Sequence, residues 1–216
     1  MRESRDMVVG TVAKLWRYPV KSLGAESLTR AEVLGDGLAG DRAAALVVET
    51  ATHARAGKPF RGKESALLHL TTDPATAASY AANANVHVSL TTEPARWFDL
   101  RPVSVLLDLW LRDVEALVGE ALDPLRFRPN LFIATDPGFA KREDDLVGTV
   151  LRAGTVELQV VETNKRCVTT TYDVDTGASE PRVLREVALN RDNVVGIYCE
   201  VLAPGFVSLG DELTTG

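Results

Sequence analysis

One cysteine stands in a setting that favours a reactive or metal-binding thiol. Cys167 directly follows Lys165 and Arg166, and it precedes three threonines and a polar Asp-Thr-Gly turn that ends at Gly177. The thiolate is the nucleophilic and metal-ligating form of cysteine, and adjacent positive charge favours it. A β-prone run at 156–161 comes shortly before. We therefore expect Cys167 to lie where a strand ends in a loop, a common place for chemistry.

Two further segments place cations beside hydrogen-bonding side chains at proline breaks. Lys21 and Ser22 follow a proline-interrupted strand and together suit an anion, although a solvated loop lysine is the common alternative. Arg126 and Arg128 should point to the same side of an extended chain, just ahead of Asn130. Arginine can grip phosphate with two parallel hydrogen bonds, but it is equally the usual partner in structural ion pairs. Both interpretations stay open at this point.

A glycine-rich segment at 35–40 matches the dinucleotide-binding fingerprint letter for letter. That fingerprint needs a helix to open at its last glycine, so that the helix N-terminus faces a pyrophosphate. Here Asp41, Arg42 and a β-prone run at 43–48 follow instead. We reject the nucleotide site and predict a tight loop between strands that presents Asp41 and Arg42.

The cations singled out share one property, since each falls at a predicted strand end or at a glycine or proline break. They are Lys21, Arg42, Arg128, Lys165 and Arg166. If these chain breaks converge, they form a cationic pocket with the Cys167 thiol at its mouth. Such a pocket suits an anionic, phosphate-bearing cofactor.

Other chemistry-bearing residues favour structural roles. His69 and His87 lie in apparent strands without a second metal ligand at a usual spacing, so we assign both to structure. Cys199 reads as a small core residue. The acidic residues 143–145 lie in a polar loop and are predicted to be solvated surface.

The elements that must position these residues are mostly strands. Short β-prone runs bounded by Gly, Pro or Asp predict a barrel-like or sandwich-like arrangement; they lie at 8–18, 31–34, 43–48, 67–71, 86–91, 131–134, 194–202 and 205–209. One helix is predicted at 73–82, a second from Val103 to Gly119, and a short third at 181–189. The sequence therefore predicts a mostly β (α+β) protein with two or three helices.

Composition sets the outer limits. The chain has 216 residues and a net charge of −6, which argues against general nucleic-acid binding. The charged N-terminus at 1–6 has no apolar run behind it long enough for a signal peptide or a membrane span. The two cysteines are then expected to be reduced in a cytoplasmic protein.

Taken in order, these motifs are similar to the MOSC family, named for the molybdenum cofactor sulfurase C-terminal domain. The strand start at 9–12, the segment 18–22 and the loop ending at Arg42 resemble its N-terminal β-barrel module, which we place at 1–98. The segments 126–130, 166–177 and 205–211 resemble the MOSC domain, which we place at 99–216.

The resemblance implies a MOSC-type β-barrel, with a β-barrel-like N-terminal subdomain, that binds the molybdenum cofactor, a pterin (molybdopterin) carrying dithiolene and phosphate. In the amidoxime-reducing members, the matching residues hold the pterin and its phosphate, namely Lys21, Ser22, Arg42, Arg128 and Asn130, and we add Arg166 to this set. Those members reduce N-oxygenated small molecules at the metal. Their electrons come from a redox partner, and a cytochrome b5-, flavin- or ferredoxin-type protein is expected here.

The chain departs from that pattern at two positions, and one is the family's tryptophan after the acidic loop, which is missing here, with Leu146 near its place. The second cysteine that ligates molybdenum in those reductases aligns near Asn190, which is a poor molybdenum ligand. Either Cys167 takes over the ligand role, as the candidate catalytic residue and metal ligand, or the cofactor's metal chemistry is altered or absent. Three functions follow as hypotheses: a metal-dependent reductase of N–O or S–O bonds, a sulfur carrier or sulfurtransferase using Cys167, and a cofactor-binding module without turnover.

Overall fold

The computed structural model describes residues 6–52, 54–93 and 96–216. In chain order its strands are β1 (Met7–Arg17), β2 (Glu26–Leu28), β3 (Arg30–Leu34), β4 (Gly37–Leu38), β5 (Ala45–Ala51), β6 (Val86–Thr91), β7 (Val103–Leu107), β8 (Leu131–Thr135), β9 (Val150–Ala153), β10 (Val156–Lys165), β11 (Val194–Ala203), β12 (Gly205–Ser208) and β13 (Glu212–Thr215). The helices are α1 (Pro74–Asn83), α2 (Asp108–Val118) and α3 (Pro181–Asn190). The prediction of a mostly β protein with two or three helices is confirmed.

The centre of the molecule is a closed β-barrel. Its strands follow the order β13-β9-β10-β11-β7-β8-β1, and the barrel closes because β13 also pairs with β1. Closure removes exposed strand edges, which otherwise template aggregation. β2 extends the sheet on β1, and β12, β3 and β4 form a separate small sheet.

The helices are positioned by caps and apolar stripes. Asp73 accepts hydrogen bonds from the amides of Ala75 and Thr76, and Pro74 occupies the first turn of α1, as predicted. α2 ends at Gly119, whose φ of +81° a glycine adopts without strain. It connects the parallel strands β7 and β8, the usual role of a crossover helix. No helix within the described residues is long and apolar enough to cross a membrane.

Both halves of the chain contribute to the main hydrophobic core. We predicted a boundary between residues 98 and 99; in the structure β1 pairs with β8 and β13, and β3 pairs with β12, across that point. A second, smaller core lies beneath β5, β6 and α1, and includes Leu46, Phe60 and Leu68.

Two of the predicted elements were wrong. The run at 67–71 forms a 3-10 helix over Ala66–Leu70, because Leu68 alone of it packs into the second core while Leu67 is exposed. The helix predicted from Val103 begins only at Asp108, since β7 takes the first five residues and is buried throughout. Periodicity cannot separate a buried strand from a buried helix over so short an apolar run.

Candidate functional site

Chain breaks from four parts of the sequence meet around one cavity of about 260 Å³. We call it the cationic cavity. The five cations predicted to converge all line it together with the predicted thiol, namely Lys21, Arg42, Arg128, Lys165, Arg166 and Cys167. Ser22 lines it too. The convergence predicted from the sequence is therefore present in the structure.

The charge of this cavity is strongly one-sided. Three more basic side chains line it, Arg61, Lys63 and Arg126, whereas Asp99 is the single carboxylate among the described lining residues. The chain as a whole carries a net charge of −6. A concave surface with this local excess of positive charge concentrates anions.

Arg128 is the most unusual of these cations. Its guanidinium lies 4.1 Å from the Tyr18 ring centroid, and Arg42 lies 4.8 Å from the same ring. Within the described residues Arg128 makes no salt bridge, and its buried Nη2 has no hydrogen-bond partner. Burial lowers the pKa of Arg128 to about 10. A buried donor of this kind fits an incoming anion, because folding has already removed water from Nη2 and anion binding need not do so again.

Backbone strain concentrates at the same place. Ser22, Arg42 and Arg128 all adopt left-handed backbone conformations, with φ of 71°, 47° and 50°. Non-glycine residues occupy this region at a cost of order 1 kcal/mol, and such strain clusters at ligand sites. Asp41 holds one of these bends, since its buried carboxylate accepts from the Tyr18 amide (2.6 Å) and from Arg42.

Lys21 is held rigidly at the edge of the cavity. Its side chain is almost fully buried, and Nζ donates to the Trp97 carbonyl (2.9 Å) and to Asp99. Burial lowers the pKa of Lys21, and the Asp99 carboxylate opposes that shift. The solvated-lysine alternative is therefore wrong for this residue.

Arg166 braces the loop that carries the thiol. Its guanidinium donates to the carbonyls of Val195 and Phe127 (both 2.7 Å), and burial lowers its pKa to about 10. Cys167 follows at the exit of β10, as predicted, and its exposed Sγ lies 3.2 Å from the Thr169 hydroxyl. The brace fixes the position of an accessible thiol in a cationic wall.

His69 is the site residue that sequence reasoning missed. We predicted a structural strand histidine; it lies instead on the 3-10 helix and lines the cationic cavity. Arg128 Nη1 donates to His69 Nδ1 at 3.1 Å. Burial and the Arg128 charge lower the pKa of His69 to about 3. The two residues are 59 positions apart, and no spacing rule links them.

This depressed pKa predicts a pH dependence of stability. The pKa falls from 6.5 to about 3 on folding, so the unfolded chain binds a proton that the native protein does not. The free energy of unfolding should therefore decrease as pH falls from about 6.5 towards 3, by at most about 1.4 kcal/mol per pH unit from this group. Chemical denaturation at several pH values should show a shallower loss for His69→Gln than for the wild type. His87→Gln, at an exposed position of β6, should retain the wild-type slope.

The expectations for Asn130 and Glu143 change with the structure, and the position of Asn190 can now be given. Asn130 is fully buried and binds Ser104 and the Trp16 carbonyl, so it shapes the entry to β8 and does not line the cavity. Asn190 lies at the exposed end of α3, where its amide donates to Glu186, away from the cavity lining. Glu143 is buried and ion-paired with Arg191 at 2.6 Å, so its prediction as solvated surface was wrong.

A second cavity of about 290 Å³ adjoins the first. Both cavities are lined by His69, Arg126, Arg128 and Thr169, which form the wall between them. The second is less basic, and its remaining lining includes Leu70, Leu125 and Tyr172 with the carboxylates of Asp123 and Asp175. An anionic group therefore fits the first cavity and a less polar group the second.

Comparison with known proteins identifies the family. Residues 9–98 match the family model for the MOSC N-terminal beta barrel domain, and residues 94–214 match that for the MOSC domain. No curated protein matches the sequence significantly. Among solved structures, the YuaD protein from Bacillus subtilis is 16% identical, with 98% of this chain and 97% of that chain covered and a TM-score of 0.58. YiiM from Escherichia coli is 15% identical, with 97% and 70% covered and a TM-score of 0.48.

The likeness to YuaD supports the fold, since it covers nearly the whole of both chains. The MOSC family is associated with molybdenum cofactor binding, and its domain model spans more than half of the sequence. The protein belongs to the MOSC domain family, with a MOSC N-terminal β-barrel domain ahead of the MOSC domain.

Proposed function

We propose that this protein binds the molybdenum cofactor in the cationic cavity and reduces N–O or S–O bonds of small molecules. The observation that carries the proposal is the convergence of Lys21, Arg42, Arg128 and Arg166 around Cys167, in a lining where Asp99 is the single carboxylate among the described residues. The buried Nη2 of Arg128, which has no partner among the described residues, fits the phosphate of that cofactor.

In this proposal each side chain has a separate part. Arg128 and Arg42 bind the phosphate and the pterin edge, and Lys21 adds a fixed charge at the rim. Ser22 lines the same wall and supplies a hydroxyl donor. Arg166 holds the β10 exit, so Cys167 keeps one position. Asn130 supports Arg128 indirectly, because it hydrogen-bonds Ser104, whose hydroxyl donates to the Arg128 carbonyl.

Cys167 is the metal-facing residue in the proposal. When bound, the cofactor would supply a redox-active molybdenum centre for two-electron chemistry. A thiolate is the soft ligand that such a metal selects, and Cys167 is the one thiol in the cavity lining, since Cys199 is buried in the core. We infer that electrons come from a separate cytochrome b5-, flavin- or ferredoxin-type protein.

The test is direct. The protein should be produced in a host that makes the cofactor, and its molybdenum, pterin and phosphate contents measured after purification. Near-equimolar metal and pterin, with reduction of an amidoxime or N-oxide by a chemical electron donor, would support the proposal. Protein without pterin from such a host would contradict it, and pterin without any reduction would indicate a binding module.

A second function is favoured by the exposure of the thiol. Cys167 is accessible to solvent, so its thiolate could attack the outer sulfur of a persulfide donor. A new S–S bond then forms on Cys167, the donor S–S bond breaks, and the donor leaves as a thiolate. Mass spectrometry after incubation with a small-molecule persulfide would reveal one added sulfur on Cys167 in this case.

Replacing Cys167 by serine should separate pterin binding from turnover. Because the cations remain, the pterin content of Cys167→Ser should stay close to that of the wild type. Because the thiolate that would bind the metal is lost, N–O reduction should fall by about 100-fold or more. Cys199→Ala, in the core, should retain activity. Unchanged reduction by Cys167→Ser would remove this thiol from the mechanism.

A further inference from the structure

The wall between the two cavities contains a buried ring nitrogen, Nε2 of His69. This nitrogen makes no well-formed hydrogen bond among the described residues, although a backbone contact of the ring with Ser22 partly opposes the lowering of its pKa. The other ring nitrogen is already used, because Arg128 Nη1 donates to Nδ1 at 3.1 Å. A guanidinium has no acceptor atom, so Nδ1 must be the acceptor and the proton of the neutral ring must be on Nε2.

The space around this nitrogen is made by a glycine. A Cβ added at Gly62 would lie 2.4 Å from Nε2, closer than two such atoms can approach. Gly62 itself lines the cationic cavity. The ring is thus seated against a residue without a side chain, and it lines the cationic cavity together with Arg128. Buried donors are rarely left unsatisfied, and those that are commonly mark a ligand position.

We propose that His69 contacts the ligand directly: Arg128 fixes the ring through Nδ1, and the Nε2–H donates to an oxygen of the phosphate-bearing ligand held in the cationic cavity. This inference rests on the proposed function, because it assumes an anion beside Arg128. In this arrangement the His69 Nε2–H is a neutral donor among cationic side chains. Because Arg128 fixes the ring, this N–H points in one direction, whereas the charge of a lysine ammonium has no preferred direction.

The test uses the full-length protein, with inorganic phosphate and an aromatic phosphate monoester as probes. Imidazole ¹H–¹⁵N spectra report the tautomer directly, and the chain has 3 histidines, so His69→Gln and His87→Gln suffice to assign the signals. We expect the Nε2–H tautomer before the probe is added. On saturation with either probe the Nε2 signal of His69 should move, while that of His87 should not.

Binding affinities complete the test. His69→Leu, which removes the donor, should weaken probe binding by about tenfold, and His69→Gln should recover most of it because the amide supplies both an acceptor and a donor. Gly62→Ala should act like His69→Leu by displacing the ring, whereas Gly35→Ala, which meets nothing within 4 Å, should bind normally.

The outcomes are distinguishable. If the probes bind and Arg128→Met strongly weakens binding, but the His69 signal does not move, His69 only orients Arg128 and the inference is wrong while the proposed function stands. If the wild type binds neither probe, the anion site itself is absent, and the inference falls together with the proposed function.

Discussion

Replacement of Arg128 by methionine is expected to stabilise the ligand-free protein while strongly weakening anion binding. The guanidinium is buried, carries no salt bridge within the described residues, and leaves Nη2 without a partner. Burial of this charge opposes folding, and Asp41 and Asp99 offset it only from a distance. Apolar residues of similar volume in place of buried ion pairs are often neutral or stabilising by 1–4 kcal/mol. Methionine is unbranched, so it should tolerate the left-handed backbone at this position about as well as arginine.

Two favourable interactions of the Arg128 side chain limit the gain. The guanidinium lies over the Tyr18 ring and donates to His69 Nδ1, and methionine can do neither. A cation–π interaction of this kind is worth about 0.5–2 kcal/mol. We therefore expect a net increase of about 1 kcal/mol in the free energy of unfolding, measured by urea denaturation of the ligand-free protein.

The same substitution should weaken the binding of anions. Charge-assisted hydrogen bonds contribute about 1.5–3 kcal/mol each, so the affinity for a phosphate monoester should fall by about 100-fold. Arg112→Met is the matched control, since Arg112 is an exposed arginine that pairs with Asp108 on the same helix. It should change neither quantity appreciably. Loss of more than about 1 kcal/mol of stability in Arg128→Met would show that Arg128 serves the fold.

The cationic cavity was predictable because its residues share features of the local sequence. Lys21, Arg42 and Arg128 each sit beside a proline or glycine break, and the thiol follows a clear strand. Breaks of this kind end strands, and the ends of strands in a barrel gather at its rims. The left-handed conformations of Ser22, Arg42 and Arg128 give the physical reason: these bends aim side chains into the cavity.

What could not be predicted depends on contacts between distant segments. His69 looked like a strand residue, and only the packing of Leu68 into the second core turns its ring towards Arg128. Asn130 has the chemistry of a ligand-binding residue, but its amide hydrogen-bonds Trp16 and Ser104 inside the core. Side-chain chemistry alone does not tell which of two nearby polar groups faces a cavity and which faces the core.

The loop of acidic residues at 143–145 also could not be predicted from side-chain chemistry alone, and a substitution in it should have the largest effect on stability. Glu143 lies in a sequence that reads as solvated surface, yet its carboxylate is buried against Arg191 and also accepts from the Gly196 amide (3.3 Å). Arg191 in turn reaches Asp113 on α2 at 2.7 Å. The pair thus ties the acidic loop to α2, α3 and β11.

Replacing Glu143 by alanine should therefore cost about 3 kcal/mol of unfolding free energy, because it leaves the Arg191 charge buried with one half-exposed partner. The melting temperature should fall by roughly 6–12 °C for a chain of this length. Asp144→Ala, at the exposed neighbouring position, should shift it little. The double variant Glu143→Leu/Arg191→Met should recover much of the loss, since no unpaired charge then remains buried. If the double variant is as unstable as Glu143→Ala, the loss comes from the hydrogen bond to Gly196 and the shape of the loop, and the buried-charge explanation is wrong.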